Sequence, residues 1–258
     1  MRSAPRAAPA LGGPAGPPGA LAAAPNPAAP NPALRALHNR LKRELIFRHL
    51  PRGARVLDLG AGRGGDLLKY RAAHVRALVA CEPDPRAFAE LRRRAANVFP
   101  AAALVPGDVL QLPLLPAPQH FDAVASFFAL QYLFRDEDYA RACIERVARL
   151  LRPGGKLFGV VPDAARVLLR RCSDISVPAH AGARGPRFGE SIWVFLPKTP
   201  YYSEGAIEEP LCYRELLVQL CAAAGLRLVA WDPFHSTSTS HATDTYASTW
   251  YKYITQLL

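Results

Sequence analysis

No stretch of about 18 consecutive apolar residues occurs in this 258-residue chain, so the sequence offers no membrane-spanning helix. Cysteine is scarce and odd in number: Cys81, Cys143, Cys172, Cys212 and Cys221 form no C-x-x-C pair. That spacing argues against a disulfide framework and a zinc site, so no metal is expected and a reducing intracellular compartment, nucleus or cytoplasm, is. Acidic side chains are also in short supply, 21 against 32 Lys and Arg, for a net charge of +11. No internal repeat is present.

Large side chains are rare in the first 32 residues, where 24 positions are Ala, Pro or Gly. Such a segment buries too little apolar surface to offset the entropy of ordering it, so residues 1–33 are expected to be a disordered leader. Proline interrupts its apolar stretch throughout, which makes it a poor secretory signal despite Arg2 and Arg6. Residues 34–258 remain, enough for one well-buried domain, expected to act as a monomer without membrane attachment.

The positive charge is uneven. Residues 35–76 hold 11 Lys/Arg against Glu44, Asp58 and Asp66, a local excess of +8. An anionic partner, nucleic acid first, is the functional reading, and a merely soluble basic surface is the plain one. Leu34, Leu37, Leu41, Leu45 and Leu50 recur at helical spacing with arginines and Lys42 between them, predicting an amphipathic helix with a basic outer side.

From there short apolar runs alternate with helical stretches. Strands are predicted at 55–59, 77–81, 102–106, 121–127 and 156–161, and helices at 66–73, 85–97 and 136–151. The second half is less regular, with a strand at 191–196, a helix at 211–224, a strand at 226–231, a polar loop at 235–245 and a last strand at 246–254. This pattern implies an α/β fold: a doubly wound, mostly parallel seven-stranded sheet with helices on both faces. Residues 172–210 are read as an insertion that contributes to an acceptor pocket.

One turn carries chemistry. Val56-Leu57-Asp58-Leu59-Gly60-Ala61-Gly62-Arg63-Gly64-Gly65 joins a strand to a helix, and Gly60, Gly62 and Gly65 satisfy G-x-G-x-x-G. Glycines there let the backbone turn tightly and approach a ligand. Glu82 follows the next strand, 22 residues after Gly60, where a carboxylate holds a ribose hydroxyl pair. Nicotinamide enzymes and methyltransferases share that arrangement. Asp58, at the strand end where a methionine ammonium would lie, and Asp108, within reach of an adenine amino group, favour S-adenosylmethionine, a cation without phosphate. The plain alternative makes Asp58 and Asp108 helix caps or turn residues.

Val56–Tyr70 resembles the first motif of the messenger-RNA cap guanine-N7 methyltransferases, L-D-L-G-C-G-K-G-G-D-L-x-K. The likeness extends to His38–Ile46, similar to the family's N-N-W-x-K-x-x-L-I helix, and to Phe128–Phe134, Pro153–Gly155, Phe188-Gly189 and Glu209–Tyr213. It implies a Rossmann-like class I methyltransferase that moves a methyl group from S-adenosylmethionine to N7 of the terminal guanine of a GpppN cap. The cofactor positions it implies are Lys42, Asp58, Gly60, Ala61, Gly62, Asp66, Glu82, Asp108 and Phe127. The cap and RNA positions are Asn39, Arg63, Lys69, Gln131, Tyr132, Glu209 and Tyr251, with Glu208 an alternative register for Glu209. Arg35 and Arg71 are further candidates for phosphate contacts. No acid or base catalyst is implied; Tyr132, Glu209 and Tyr251 would position the acceptor.

The chain departs from that pattern at three positions. Phe127 stands where the family has Gln, Gln131 where it has His, and Arg40 where it has Trp. Gln131 can donate a hydrogen bond to a guanine oxygen but carries no charge. The implied partners are capped RNA and an RNA triphosphatase or guanylyltransferase. Two other readings remain at this point: methylation of another small-molecule or nucleobase acceptor, and an RNA-binding stimulatory subunit with a methyltransferase fold.

Overall fold

The computed structural model describes residues 32–112, 120–169, 174–196, 202, 205–234 and 249–258. Most of the expected leader, Cys172 and the polar loop at 235–245 lie outside the described residues. Helix α1 begins at Pro32, inside the segment expected to be disordered, and runs to His49.

The chain then alternates. Strand β1 (Arg55–Leu59) leads to α2 (Leu67–Ala72), β2 (Ala77–Cys81), α3 (Pro85–Val98), β3 (Ala103–Val105) and β4 (Phe121–Phe127). A 3₁₀ helix (Leu130–Arg135), α4 (Glu137–Leu150), β5 (Leu151–Pro162) and α5 (Ala164–Leu169) follow. After β6 (Ile175–Ser176), β7 (Ser191–Val194) and β8 (Ile207–Pro210) come α6 (Arg214–Ala223), β9 (Leu226–Pro233) and β10 (Trp250–Leu257). Side-chain caps fix two helix starts: Asp84 accepts from Ala87 N at 2.6 Å with Pro85 at the first position, and Asp136 accepts from Tyr139 N at 2.8 Å.

Seven strands form one sheet in the order β3-β2-β1-β4-β5-β10-β9. Neighbours from β3 to β5 pair in parallel, while β10 runs antiparallel to both β5 and β9. The sequential parallel pairs β1–β2, β2–β3 and β4–β5 are each joined through a helix, as crossover connections require. On one face α1, α2 and α3 bury Leu45, Ile46, Tyr70 and Leu91 against Val56, Ala123 and Phe158. On the other, α4 and α6 bury Cys143, Ile144, Val147, Leu217 and Cys221 against Leu57, Val124 and Tyr253. The expected doubly wound sheet is thus present.

Some boundaries differ from expectation. Strand β5 starts at Leu151 rather than Lys156, because Leu151 pairs with Phe121 before the glycine turn and the ladder resumes at Ala123–Lys156. The last strand runs Trp250–Leu257, shifted toward the C-terminus, and residues 246–248 of the expected span are outside the described set. Within 172–210 only one strand was expected, yet β6, β7 and β8 form a separate antiparallel sheet. Helix α5 and the 3₁₀ helix at 130–135 were likewise unforeseen.

Candidate functional site

The glycine turn sits at the carboxyl end of β1, beside the gap between β1 and β4 where the strand order reverses. In open α/β sheets that is where ligands bind. Gly60 and Ala61 both donate their backbone N–H to Cys81 O at 3.0 Å, which folds the turn against β2. Gly60 has φ +70°, and a Cβ there would lie 2.3 Å from Ala129 Cβ, so no larger residue fits. Gly62 (φ 56°) and Gly64 (φ 74°) also adopt left-handed backbone. Gly65 does not, and a Cβ there meets nothing within 4 Å. The conformational requirement therefore falls on Gly60, Gly62 and Gly64 rather than on the third glycine of the sequence motif.

Three buried carboxylates surround this turn: Asp58, Asp66 and Glu82, between 4% and 7% exposed. Asp58 lies in the body of β1, paired with Ala80 and Ala125, and caps no helix. Burial, aided by the charge of Asp66, pushes its pKa up to about 7, while Lys42 and the Tyr70 hydroxyl act in the opposite direction. Burial also raises Glu82, although its carboxylate accepts from Gly62 N at 2.7 Å and Asp84 N at 2.9 Å. Asp66 is the exception. Burial opposes its charge, but Lys42 at 2.9 Å and Lys69 at 2.7 Å hold it below the usual carboxylate range.

Lys42 reaches this cluster from α1, and its ammonium lies 5.1 Å from the ring centroids of both Phe127 and Phe128. Phe128 adopts φ 61°, strained for an aromatic residue, and is held by its N–H to Val160 O and by ring contact with Trp250. Phe127, where the resembling family has Gln, turns its ring against Phe158 and Lys42. Lys69, expected at the RNA, is instead buried and bonded to Asp66 and Gly65 O. An uncompensated Asp66 in that position would be costly, which explains why the lysine turns inward.

Asp108 takes the plain role weighed for it. It caps the 3₁₀ turn Val109–Gln111, accepting from Leu110 N at 2.7 Å, and its second oxygen accepts from the Tyr139 hydroxyl at 2.6 Å. Its position after β3 is as expected, but two of its acceptor sites are already used.

The residues expected at an acceptor come from distant parts of the chain. In β8, Glu209 is 4% exposed and faces the 3₁₀ helix at 130–135, whereas the partly buried Glu208 points to the opposite side. That alternation puts Glu209, not Glu208, beside Gln131 and Tyr202. Glu209 Oε2 accepts from Gln131 Nε2 at 3.2 Å, and Oε1 accepts from the Tyr202 hydroxyl at 2.6 Å. Tyr202 was not foreseen; it lies in an irregular Pro- and Tyr-rich stretch without periodicity. Tyr132 borders the same group, its hydroxyl pKa raised by burial and then by Glu209. Gln131 also donates to Phe128 O at 3.2 Å, so both amide hydrogens are spent, and its buried Oε1 has no partner among the described residues. The free hydrogen-bonding group of this side chain is therefore its acceptor, Oε1.

Tyr251 lies apart from this hydrogen-bonded set. Its hydroxyl accepts from Arg166 Nε at 3.0 Å, and its ring stacks on Trp231 with centroids 5.9 Å apart. Asn39 is exposed on α1 and Arg63 is half-buried in the turn. Among the described residues no cluster of His, Cys, Asp and Glu suits a metal ion, and no helix is long and apolar enough to cross a membrane. The four described cysteines are buried free thiols.

The chain has counterparts among known proteins. The family described as the mRNA (guanine-N(7))-methyltransferase domain matches residues 28–252. The chain belongs to that family. Among related members, the mRNA cap guanine-N(7) methyltransferase of Eremothecium gossypii is 31% identical over 235 residues, covering 78% of this chain and 53% of that protein. The Candida glabrata protein of the same name is 30% identical over 193 residues, covering 71% and 45%. This chain therefore spans about half the length of the curated guanine-N7 methyltransferases it matches. Solved structures share its fold at lower identity. The PH0226 protein of Pyrococcus horikoshii has a TM-score of 0.64 at 14% identity, covering 91% of this chain and 97% of that one. A glycopeptide N-methyltransferase complexed with sinefungin has a TM-score of 0.59 at 20% identity, covering 85% and 94%. These likenesses show the fold, which the glycopeptide N-methyltransferase shares.

Proposed function

We propose that this chain methylates N7 of the terminal guanine of GpppN-capped RNA, using S-adenosylmethionine. The observation that carries the reading is Glu209: a buried carboxylate held by Tyr202 and Gln131, in a chain of the guanine-N7 methyltransferase family. A guanine edge presents N1–H and N2–H donors, which a fixed carboxylate accepts in a bidentate manner. The unpartnered Gln131 Oε1 adds a second acceptor on that side.

The residues at the glycine turn fit the cofactor. Burial, then Asp66, pushes the Asp58 pKa up to about 7 despite Lys42, and a ligand ammonium would supply further positive charge there. Glu82 suits a ribose hydroxyl pair, Gly60, Ala61 and Gly62 allow close approach, and Lys42 can turn from Asp66 toward the ligand carboxylate. Asp108 retains lone pairs for an adenine amino group beside its two present bonds. Bound there, S-adenosylmethionine supplies an activated methyl group.

The protein's own contribution is positional. Guanine N7 carries an exposed lone pair, so no proton is removed and no general base is needed. Glu209 and Gln131 orient the base, Tyr132 and Tyr202 wall it in, and water is excluded from the line of transfer. Such positioning accounts for roughly 7–11 kcal/mol of barrier lowering in favourable cases. Because the guanine ring gains positive charge during transfer, the Glu209 carboxylate binds it more tightly as the reaction proceeds. The GpppN end itself must come from a preceding triphosphatase and guanylyltransferase reaction, the partners that this function implies.

The direct test combines methyl transfer to GpppN-capped RNA with calorimetric binding of S-adenosylmethionine. Glu209→Ala is expected to lose transfer while keeping cofactor binding, and Asp58→Ala to lose both. Full transfer by either variant would refute the corresponding assignment.

A further inference from the structure

The two helix layers differ in charge. Helices α1, α2 and α3 carry 11 Lys/Arg and only Glu44 and Glu90 as acids, whereas α4 and α6 carry four of each sign. The excess is densest on the outer side of α1, where Arg35, Arg40, Arg43 and Arg48 are exposed and Arg52 follows just beyond the helix. None of the five is ion-paired among the described residues.

This surface is more than a solvated charge run. Phe47 stands on the same side, 46% exposed, with the Arg43 guanidinium 4.9 Å from its ring centroid. Next to the ring is a groove of about 280 Å³ lined by Phe47, Leu50, Arg52, Ala72, Ala73 and His74. An aromatic face beside a small apolar groove, rimmed by arginines, is the arrangement on which single-stranded nucleic acid stacks a base. It is also connected to the site. Helix α1 spans the distance between them: at its start His38 meets Phe128 and Trp250 and Lys42 meets the glycine turn. Phe47 and the groove lie toward its other end, beside the amino ends of β1 and β2, so RNA reaching the groove runs along the outer face of the helix.

We infer that the outer face of α1 and the groove at Phe47 bind the single-stranded RNA that follows the cap, phosphates on the arginines and one base on Phe47. The inference rests on the function proposed above and specifies where the body of the substrate lies. An RNA chain is the occupant that fits both features, since an acidic polypeptide would match the charge but leave the aromatic groove without a stacking partner.

Two measurements test it separately from the proposed activity. The first compares KM for free GpppG with KM for a capped RNA of roughly 20 nucleotides, in wild type, Phe47→Ala and the double variant Arg43→Gln/Arg48→Gln. Loss of one stacked base corresponds to about fivefold or more in affinity, so KM for the long RNA is expected to rise at least that much. Values for GpppG should stay unchanged, and Phe47→Tyr should restore the long-RNA value. The second follows binding of uncapped RNA by fluorescence anisotropy against salt, where removing two phosphate contacts should flatten the log–log slope by about 1.4. Unchanged long-RNA KM and salt slope in the variants, or equal competition by polyglutamate, would overturn the inference even if GpppG is methylated. If wild type failed to methylate GpppG at all, the proposed activity would fall, while the anisotropy series would still report on the groove.

Discussion

Asp58 gives the most quantitative consequence of the structure. Its carboxyl has an ordinary pKa of 3.8 and is pushed up to about 7 in the folded chain, chiefly by burial and secondarily by Asp66. The native state therefore binds a proton between about pH 4 and 7 that the unfolded chain has released. Stability contributed by this group is complete at low pH and is lost as pH rises toward 7. Each pKa unit corresponds to 1.36 kcal/mol, so the cost of the ionised carboxylate is about 4 kcal/mol above pH 7. Asp58→Asn removes the charge at nearly constant volume. It should raise the stability of the ligand-free protein at pH 8 by an amount approaching that figure, and by little at pH 4.5. At the same time it should weaken S-adenosylmethionine binding, because the compensating charge pair is gone. Urea unfolding of both proteins at the two pH values reads the first effect, and calorimetry the second. If Asp58→Asn were less stable than wild type at pH 8, or gained equally at both pH values, the view of Asp58 as an uncompensated buried charge would be wrong.

Three further outcomes follow from individual contacts. Tyr202→Phe deletes the hydrogen bond to Glu209 Oε1; a bond to a charged group contributes about 1.5–3 kcal/mol, so KM for capped RNA should rise at least tenfold while S-adenosylmethionine affinity stays constant. Gly60→Ala places a Cβ 2.3 Å from Ala129 at φ +70°, and thermal unfolding should show severe destabilisation, with Gly65→Ala far milder. His49 is held at about pKa 4 by burial and then by Lys156, Arg48 and Lys252, and its buried ring nitrogens have no hydrogen-bond partners among the described residues. Its folded pKa lies below the ordinary 6.5, so its contribution to stability is lost as pH falls from about 6.5 to 4, and His49→Phe, packed on Phe158, should flatten that part of the pH–stability curve.

The first half of the fold was legible because its signals are local. Val56–Leu59 is a buried apolar run with one charged residue, and a glycine cluster follows it directly, so strand, turn and cofactor side are readable from adjacent residues. Asp58 and Glu82 lie beside the turn for the same reason, one in β1 just before it and the other accepting from Gly62 N. What the sequence left open depends on tertiary pairing. Glu208 and Glu209 are neighbours of like chemistry, and only the pairing of β8 with β7 decides which one faces Gln131. Lys69 reads as a surface lysine until Lys42 arrives from α1 and the three groups form one buried ion cluster with Asp66. Tyr202 and the two strands flanking the expected β7 belong to stretches whose pattern has neither helical nor strand period. Gln131 kept its expected location but reversed its hydrogen-bonding role, because Phe128 O and Glu209 both take its donors.

The central claim is that the Glu209 side of the site recognises an unmethylated cap guanine while the glycine turn holds the methyl donor. Its most direct measurement is transfer of labelled methyl from S-adenosylmethionine to two RNAs that differ only at the cap, GpppN and its N7-methylated form, followed by digestion to nucleosides. Label recovered as N7-methylguanosine from the first RNA alone is the predicted result. Equal labelling of both RNAs, or label recovered elsewhere in the chain, would contradict it.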